Sequence, residues 1–227
     1  MSSRPSFFSS SVGSKILIGL TGLLLFGFLV THLAGNLTLL LGPTSFNSYA
    51  HKIEGLVPVL YLLEAGLVAI FVIHVVKTLT NLKRNTAARP VRYAEKHWAG
   101  HTSRKTWAST TMPLTGLFIL LFVIIHVRTF KYGPYYVDPQ TGHRDLFALV
   151  AEVYSNPLYV GFYVAAMLLI GLHLNHGISS AAQSLGLSNQ RYARGLVLGG
   201  RVLAVLIAGG FAVLPVFMFF AHRVAQP

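Results

Sequence analysis

The sequence has 227 residues, of which 53% are hydrophobic and 11% are charged, and its mean hydropathy is +0.60. Because a soluble domain carries about 25% charged residues, this composition excludes a soluble globular enzyme. The net charge of +12 comes from basic residues in loops between apolar runs, which indicates membrane topology control rather than nucleic-acid binding. The absence of cysteine excludes disulfides, iron–sulfur ligation and thioether-linked haem. Histidine, present ten times, is the remaining strong metal ligand.

Five apolar segments are long enough to cross a bilayer as helices, which takes about 20 residues each. In chain order they span residues 15–41, 56–76, 107–127, 156–182 and 202–221. The first is too long for the apolar core of a signal peptide, and we interpret it as a retained span. The sequence therefore predicts an all-α integral membrane protein, with one domain over residues 1–227 whose first four spans form a bundle.

The basic residues predict how these spans are oriented. Thirteen Lys and Arg lie on the N-terminal side of the membrane and five on the opposite side. Since the more basic face is normally cytoplasmic, we expect the N-terminus in the cytoplasm and the C-terminus outside. The connection 77–106 on the inner face is basic and too long for a turn, so we expect it to dock a soluble partner. Its candidate contact residues are His97, Trp98, His101, Ser103 and Arg104.

Four spans carry a histidine inside or near the hydrocarbon zone. At about 1.5 Å per helical residue, His32 and His126 lie level near the outer face, and His74 and His173 lie level near the cytoplasmic face. Two level pairs on different helices are what two bis-histidine haems need in a four-helix bundle. Zinc or di-iron would also require carboxylates or thiolates, which the spans lack at these depths. The alternative is that each histidine is a structural polar residue, but matched pairs of a residue that is rare in membranes favour haem.

The fourth span offers a choice of ligand, because His176 lies three residues after His173 on broadly the same helix face. His173 is 16 residues after Pro157, just as His74 is 16 residues after Pro58. We therefore assign His173 as the ligand. His176 is about 4.5 Å nearer the cytoplasm, where we expect it to bond a haem propionate or cap the surface.

Several short motifs occur along the chain in a fixed order. They are Thr31-His-Leu-Ala-Gly-Asn36, Phe46-Asn-Ser-Tyr-Ala50, Tyr61-Leu-Leu-Glu64, Ser103-Arg-Lys-Thr106, Thr115-Gly116 and Pro157-Leu-Tyr-Val-Gly-Phe-Tyr163, followed by His173-x-x-x-Gly177. As an ordered set, covering nearly the whole chain, they resemble the diheme cytochrome b subunit of succinate:quinone oxidoreductases.

This resemblance implies a function in succinate dehydrogenase. The chain would anchor a flavoprotein (FAD) subunit and an iron–sulfur subunit on the cytoplasmic side of a bacterial cytoplasmic membrane, and it would pass electrons through two b haems to a quinone, with menaquinone expected. Carried over by position, His32 and His126 would ligate the outer haem, and His74 and His173 the inner one.

The carboxylates leave the proton chemistry open. Some diheme fumarate reductases of this family have a glutamate two residues before the fourth-span histidine, where this chain has Gly171, so that proton route is not assigned. Glu64 is the only carboxylate within a span, and a structural role and proton handling near the outer haem both remain open. Glu54 is a second candidate. The quinone head group could lie near Ser103 and Arg104, between the inner face and the inner haem, or near Glu64 and the outer haem.

Two other functions remain open from the sequence alone. The same two haems could serve another quinone-linked complex, such as a fumarate reductase, hydrogenase or formate dehydrogenase. A haem-free transporter or assembly factor could instead use the histidines for protons or a metal. The identity of copurified subunits and a reduced-minus-oxidised spectrum separate these alternatives.

Overall fold

The computed structural model describes residues 10–88, 107–187, 189 and 191–224. The helices are α1 (Ser11–Asn36), α2 (Pro43–Glu54), α3 (Val59–Ala87), α4 (Trp107–Phe130), α5 (Leu146–Ser155), α6 (Pro157–Ser184) and α7 (Ala193–Val224), with a 3₁₀ turn at Leu37–Leu41. Within the described part of the chain, α1, α3, α4, α6 and α7 are long and apolar enough to cross a membrane. The predicted all-α fold with five spans is therefore confirmed.

The spanning helices extend beyond the predicted apolar segments. α3 continues to Ala87, through the basic residues that were expected to open the inner connection, and α7 begins at Ala193 rather than near Val202. α1 begins four residues before Lys15, since the Ser10 side chain caps it by accepting a hydrogen bond from the amide of Gly13 at 2.9 Å. Hydropathy marks the part of a helix that faces lipid, whereas caps and propensity decide where the helix ends.

The spans α3, α1, α6 and α4 pack in that order, and α7 packs against α6 and also contacts α1. α1 contacts both α3 and α6, and α6 contacts α4 and α7, whereas α3 touches α4 only lightly. The core is therefore centred on α6, whose Tyr163, Ala166 and Met167 are buried. None of the residues of α3 is buried, so this helix lies at the edge of the bundle.

Short elements cover one end of the bundle, next to the His32 and His126 level. α2 and α5 are joined by Asn47, whose amide nitrogen donates to Asp145 Oδ1 at 2.8 Å and whose oxygen accepts from the Phe147 amide at 2.9 Å. Phe46 is buried and lies 6.5 Å from the Phe147 ring, measured between centroids. We call α2, α5 and the connection 131–145 the outer cap.

Candidate functional site

The outer histidines come from facing helices and meet inside the bundle. The ring centroids of His32 on α1 and His126 on α4 are 5.8 Å apart, with ring planes at 88°. Imidazole–metal bonds of about 2 Å would place two rings on opposite sides of one metal ion about 6 Å apart between centroids. The observed spacing therefore fits a metal ion held between the two rings.

Aromatic rings surround this pair. Phe28 stacks on His32 at 5.2 Å and Phe122 stacks on His126 at 5.6 Å between centroids. Further rings within about 6 Å of one or the other histidine belong to Phe130, Tyr163 and Phe211. Flat apolar side chains of this kind exclude water and match the faces and edges of a macrocycle.

The fifth span also contributes to the outer pair, although only the first four spans were predicted to form the bundle. Phe211 of α7 lies 5.6 Å from His32 between ring centroids. One residue earlier, a Cβ at Gly210 would stand 2.8 Å from Leu33 Cδ2, so glycine is what allows α7 to approach α1 here. The outer site is thus bounded by α1, α4, α6 and α7.

Hydrogen-bonding groups face the Nδ1 atoms of the outer pair at the limit of bonding distance. The Tyr163 hydroxyl lies 3.4 Å from His126 Nδ1. Asn36 Nδ2 lies 3.4 Å from His32 Nδ1 and donates a shorter bond of 2.8 Å to the carbonyl of the same histidine.

Tyr154 of the outer cap packs against Tyr163, with 5.3 Å between the two ring centroids. Burial raises the pKa of the Tyr154 phenol well above its usual value of 10, so this side chain is neutral.

The inner histidines are set in a different environment. His74 on α3 faces α1, and His173 on α6 faces α4. Each Nδ1 faces a threonine hydroxyl, at 3.1 Å for Thr21 and His74 and at 3.3 Å for Thr115 and His173. Both threonines are buried. Each inner histidine therefore has a polar partner that the sequence did not identify, and the pairing of His74 with His173 stays a prediction.

A glycine follows each of these threonines and makes room for the imidazole. A Cβ at Gly22 would stand 3.3 Å from His74 Cε1, and a Cβ at Gly116 would stand 3.6 Å from His173 Cε1. In both places the histidine ring lies directly against the backbone of the neighbouring helix. The contact is tighter on α1 than on α4.

The two halves of the bundle repeat this pattern. The Thr-Gly step of α1 precedes His32 by 11 residues counted from Thr21, and the Thr-Gly step of α4 precedes His126 by 11 residues counted from Thr115. Eleven residues are about three helical turns, so threonine and histidine share one face about 16 Å apart along the axis. This spacing is visible in the sequence and is the signal that could have identified both threonines.

His176 is half-buried, and its backbone carbonyl accepts a bond of 3.1 Å from the Ser179 hydroxyl. Of the two histidines of α6, His173 is the one whose Nδ1 lies 3.3 Å from Thr115 Oγ1. The choice of His173 as ligand, with His176 beside it, stays a prediction.

The candidate carboxylates lie on the outer-cap side and both are paired. Glu64, five residues after Val59 at the start of α3, forms an ion pair with Lys131, just beyond the end of α4. Glu54 lies 3.6 Å from Arg144, which also donates a 2.9 Å bond to the Phe130 carbonyl. The candidate inner-face residues His97, Trp98, His101, Ser103 and Arg104 lie outside the described residues.

The donor set indicates the kind of metal group that would fit. Among the described residues, no group of three or more His, Cys, Asp and Glu could hold a metal ion. Each level offers two imidazoles within a helical bundle and no charged ligand beside them. Two axial ligands are what a porphyrin iron requires, because the macrocycle supplies the rest of the coordination.

Comparison with known proteins points in the same direction. A curated relative, the succinate dehydrogenase cytochrome b558 subunit of Bacillus subtilis (strain 168), is 29% identical over 162 residues, which cover 71% of this chain and 73% of the relative. Neither a protein-family model nor a solved structure matches the chain. The similarity confirms the resemblance to the cytochrome b subunit of succinate dehydrogenase.

Proposed function

We propose that the chain is the membrane cytochrome b subunit of a bacterial succinate dehydrogenase, acting as one domain in the cytoplasmic membrane. In this role it anchors a flavoprotein subunit and an iron–sulfur subunit, and it connects them electronically to a quinone, menaquinone being the expected one. The observation that carries the proposal is the pairing of His32 with His126 from facing helices at 5.8 Å. The similarity to a succinate dehydrogenase cytochrome b subunit supports the choice of enzyme complex.

Two b haems fit the residues present. His32 and His126 would hold the outer haem, and His74 and His173 the inner one. Each haem, when bound, supplies a centre that takes up and releases a single electron. The imidazoles that would ligate the two irons lie at levels about 16 Å apart by helical rise, and the aromatic rings around the outer pair would keep water away from that level. Noncovalent binding follows from the absence of cysteine.

The inner face is where we expect the partner subunits. Lys77, Lys83 and Arg84 lie on the last turns of α3, and Arg104 follows in the segment outside the described residues. This concentration of positive charge favours an acidic surface on the iron–sulfur partner and a cytoplasmic N-terminus. Ser103 and Arg104 stay candidates for contact with quinone on this side.

Glu64 is the residue we propose for proton handling at the outer level. It is about one-third exposed, and its partner Lys131 belongs to the connection after α4 rather than to the bundle interior. Carboxylates are among the side chains that serve general acid–base chemistry, and quinone reduction takes up protons. Glu54 has a more structural setting, because Arg144 holds both it and the end of α4.

The test is the composition of the complex purified from native membranes in mild detergent. We expect a flavoprotein and an iron–sulfur subunit in equal amounts with this chain, and close to two b haems per polypeptide by pyridine haemochrome assay. Substitution of any of the four ligands by alanine should lower the haem content to one. A hydrogenase or formate dehydrogenase partner would refute the assignment to succinate dehydrogenase, and a haem-free complex would refute the cytochrome.

A further inference from the structure

The two threonines of the inner site each face the same atom of a histidine. Thr21 Oγ1 is 3.1 Å from His74 Nδ1, and Thr115 Oγ1 is 3.3 Å from His173 Nδ1. The threonines are 5% and 3% exposed, so water does not compete for these contacts. Two different helix pairs, α1 with α3 and α4 with α6, thus present the same group to the same nitrogen.

The direction of these hydrogen bonds follows from the other bonds of the threonines. The Thr21 hydroxyl donates to the backbone carbonyl of Leu17 at 2.6 Å, and the Thr115 hydroxyl donates to the carbonyl of Met112 at 3.1 Å. A hydroxyl has one hydrogen, so a threonine that has used it in its own helix can offer the imidazole only a lone pair. With the hydroxyl hydrogen on these carbonyls, the contact is a hydrogen bond when Nδ1 carries the proton and donates it to the threonine.

This direction fixes the histidine tautomer. A neutral imidazole with its proton on Nδ1 has a free lone pair on Nε2, which is then the metal-binding nitrogen. Hydrogen bonding of the distal N–H also fixes the ring orientation and raises the basicity of the ligand. A more basic ligand stabilises the more positively charged, oxidised iron and so lowers its reduction potential.

The outer pair lacks this arrangement. Its Nδ1 atoms face the Tyr163 hydroxyl and the Asn36 amide, both at 3.4 Å. Neither partner is a threonine that bonds back to its own helix. The effect of the threonines should therefore be confined to the inner level.

We propose that Thr21 and Thr115 are positioning residues that hold the Nδ1 protons of His74 and His173, so that both Nε2 atoms are available to the inner haem iron and the potential of that haem alone is lowered. This inference rests on the proposed function, since it concerns a haem bound between these two histidines. The threonines act on the iron only through the histidines.

The experiment compares valine and serine at each position in the intact complex in membranes. Valine keeps the branched shape of threonine without the hydroxyl, and serine keeps the hydroxyl without the methyl group. Thr31→Val is the matched control. Thr31 lies on α1 next to His32 in the sequence, and like Thr21 it donates its hydroxyl to a carbonyl of its own helix, that of Phe28 at 2.9 Å. It differs from Thr21 in being exposed rather than packed against His74. Haem content and an optical redox titration are measured, and the outer step is identified from the His74→Ala variant, which keeps only the outer haem.

We expect Thr21→Val and Thr115→Val each to raise the potential of the inner step, with a larger shift in the double variant, while the outer step stays in place. The two serine variants and Thr31→Val should titrate like the unchanged protein. Loss of the inner haem in a valine variant, with retention in the serine variant, equally supports the proposal.

Three results would overturn it. They are an unchanged inner step in both valine variants, an equal shift of both steps, and haem loss in the serine variants as well as the valine variants. The failure of the proposed function is distinguishable from these, because the unchanged complex would then lack two b haems before any substitution is made.

Discussion

Asn47 is the side chain on which attachment of the outer cap depends most directly. Its amide bridges Asp145 Oδ1 at 2.8 Å and the Phe147 amide at 2.9 Å, and it is half-buried between α2 and α5. Replacing it by alanine removes two hydrogen bonds and leaves a carboxylate oxygen and an amide without these partners. At about 1–2 kcal/mol each, we expect Asn47→Ala to cost about 2–4 kcal/mol.

The assay is thermal loss of haem from the purified complex, followed in the visible spectrum. For a chain of this size, that cost corresponds to a decrease in midpoint temperature of roughly 4–16 °C. The outer haem should be lost before the inner one, because α5 supports Tyr163, next to His126, through Tyr154.

Asn156→Ala is the matched control. The side chain of Asn156 is exposed, and its Oδ1 accepts one bond of 2.9 Å from the Leu158 amide, which caps α6. We expect it to cost about 1 kcal/mol. If Asn47→Ala decreased the midpoint no more than Asn156→Ala, or released the inner haem first, the assigned role of Asn47 would be wrong.

Two further predictions concern the packing around the histidines. Gly22→Ala should shift the spectrum or potential of the inner haem, because the added Cβ would stand 3.3 Å from His74 Cε1. Gly116→Ala should leave both unchanged, because its Cβ would stand 3.6 Å from His173 Cε1, an ordinary contact distance. Equal effects of the two substitutions would contradict this difference in contact distance. Phe211→Ala should weaken retention of the outer haem during detergent purification, because the ring lies 5.6 Å from the outer histidine of α1. The control Phe217→Ala, on an exposed side chain of the same helix, should retain both haems, and loss in both variants would show only a general effect of α7.

Properties that depend only on position along the chain could be predicted from the sequence. Hydropathy located all five spans, because lipid selects a continuous apolar run whatever its neighbours are. The helical rise of about 1.5 Å per residue sorted the histidines into two predicted levels, and in the structure the ring centroids of His32 and His126 lie 5.8 Å apart. The predicted helix ends were less accurate, since α3 continues to Ala87 and α7 begins at Ala193, both within basic, polar sequence.

The sequence by itself thus determined the fold class, the number of spans and the candidate ligands, all of which depend on composition and on distance along a helix axis. The tertiary structure alone decided which side chain faces each Nδ1 atom, that Phe211 of the fifth span lies against His32, and that Asn47 joins two parts of the outer cap. The physical reason is that these contacts depend on the rotation of each helix about its axis and on the choice of neighbour. A helix that is apolar on all sides does not encode that rotation in its hydropathy, so only packing against other helices sets it.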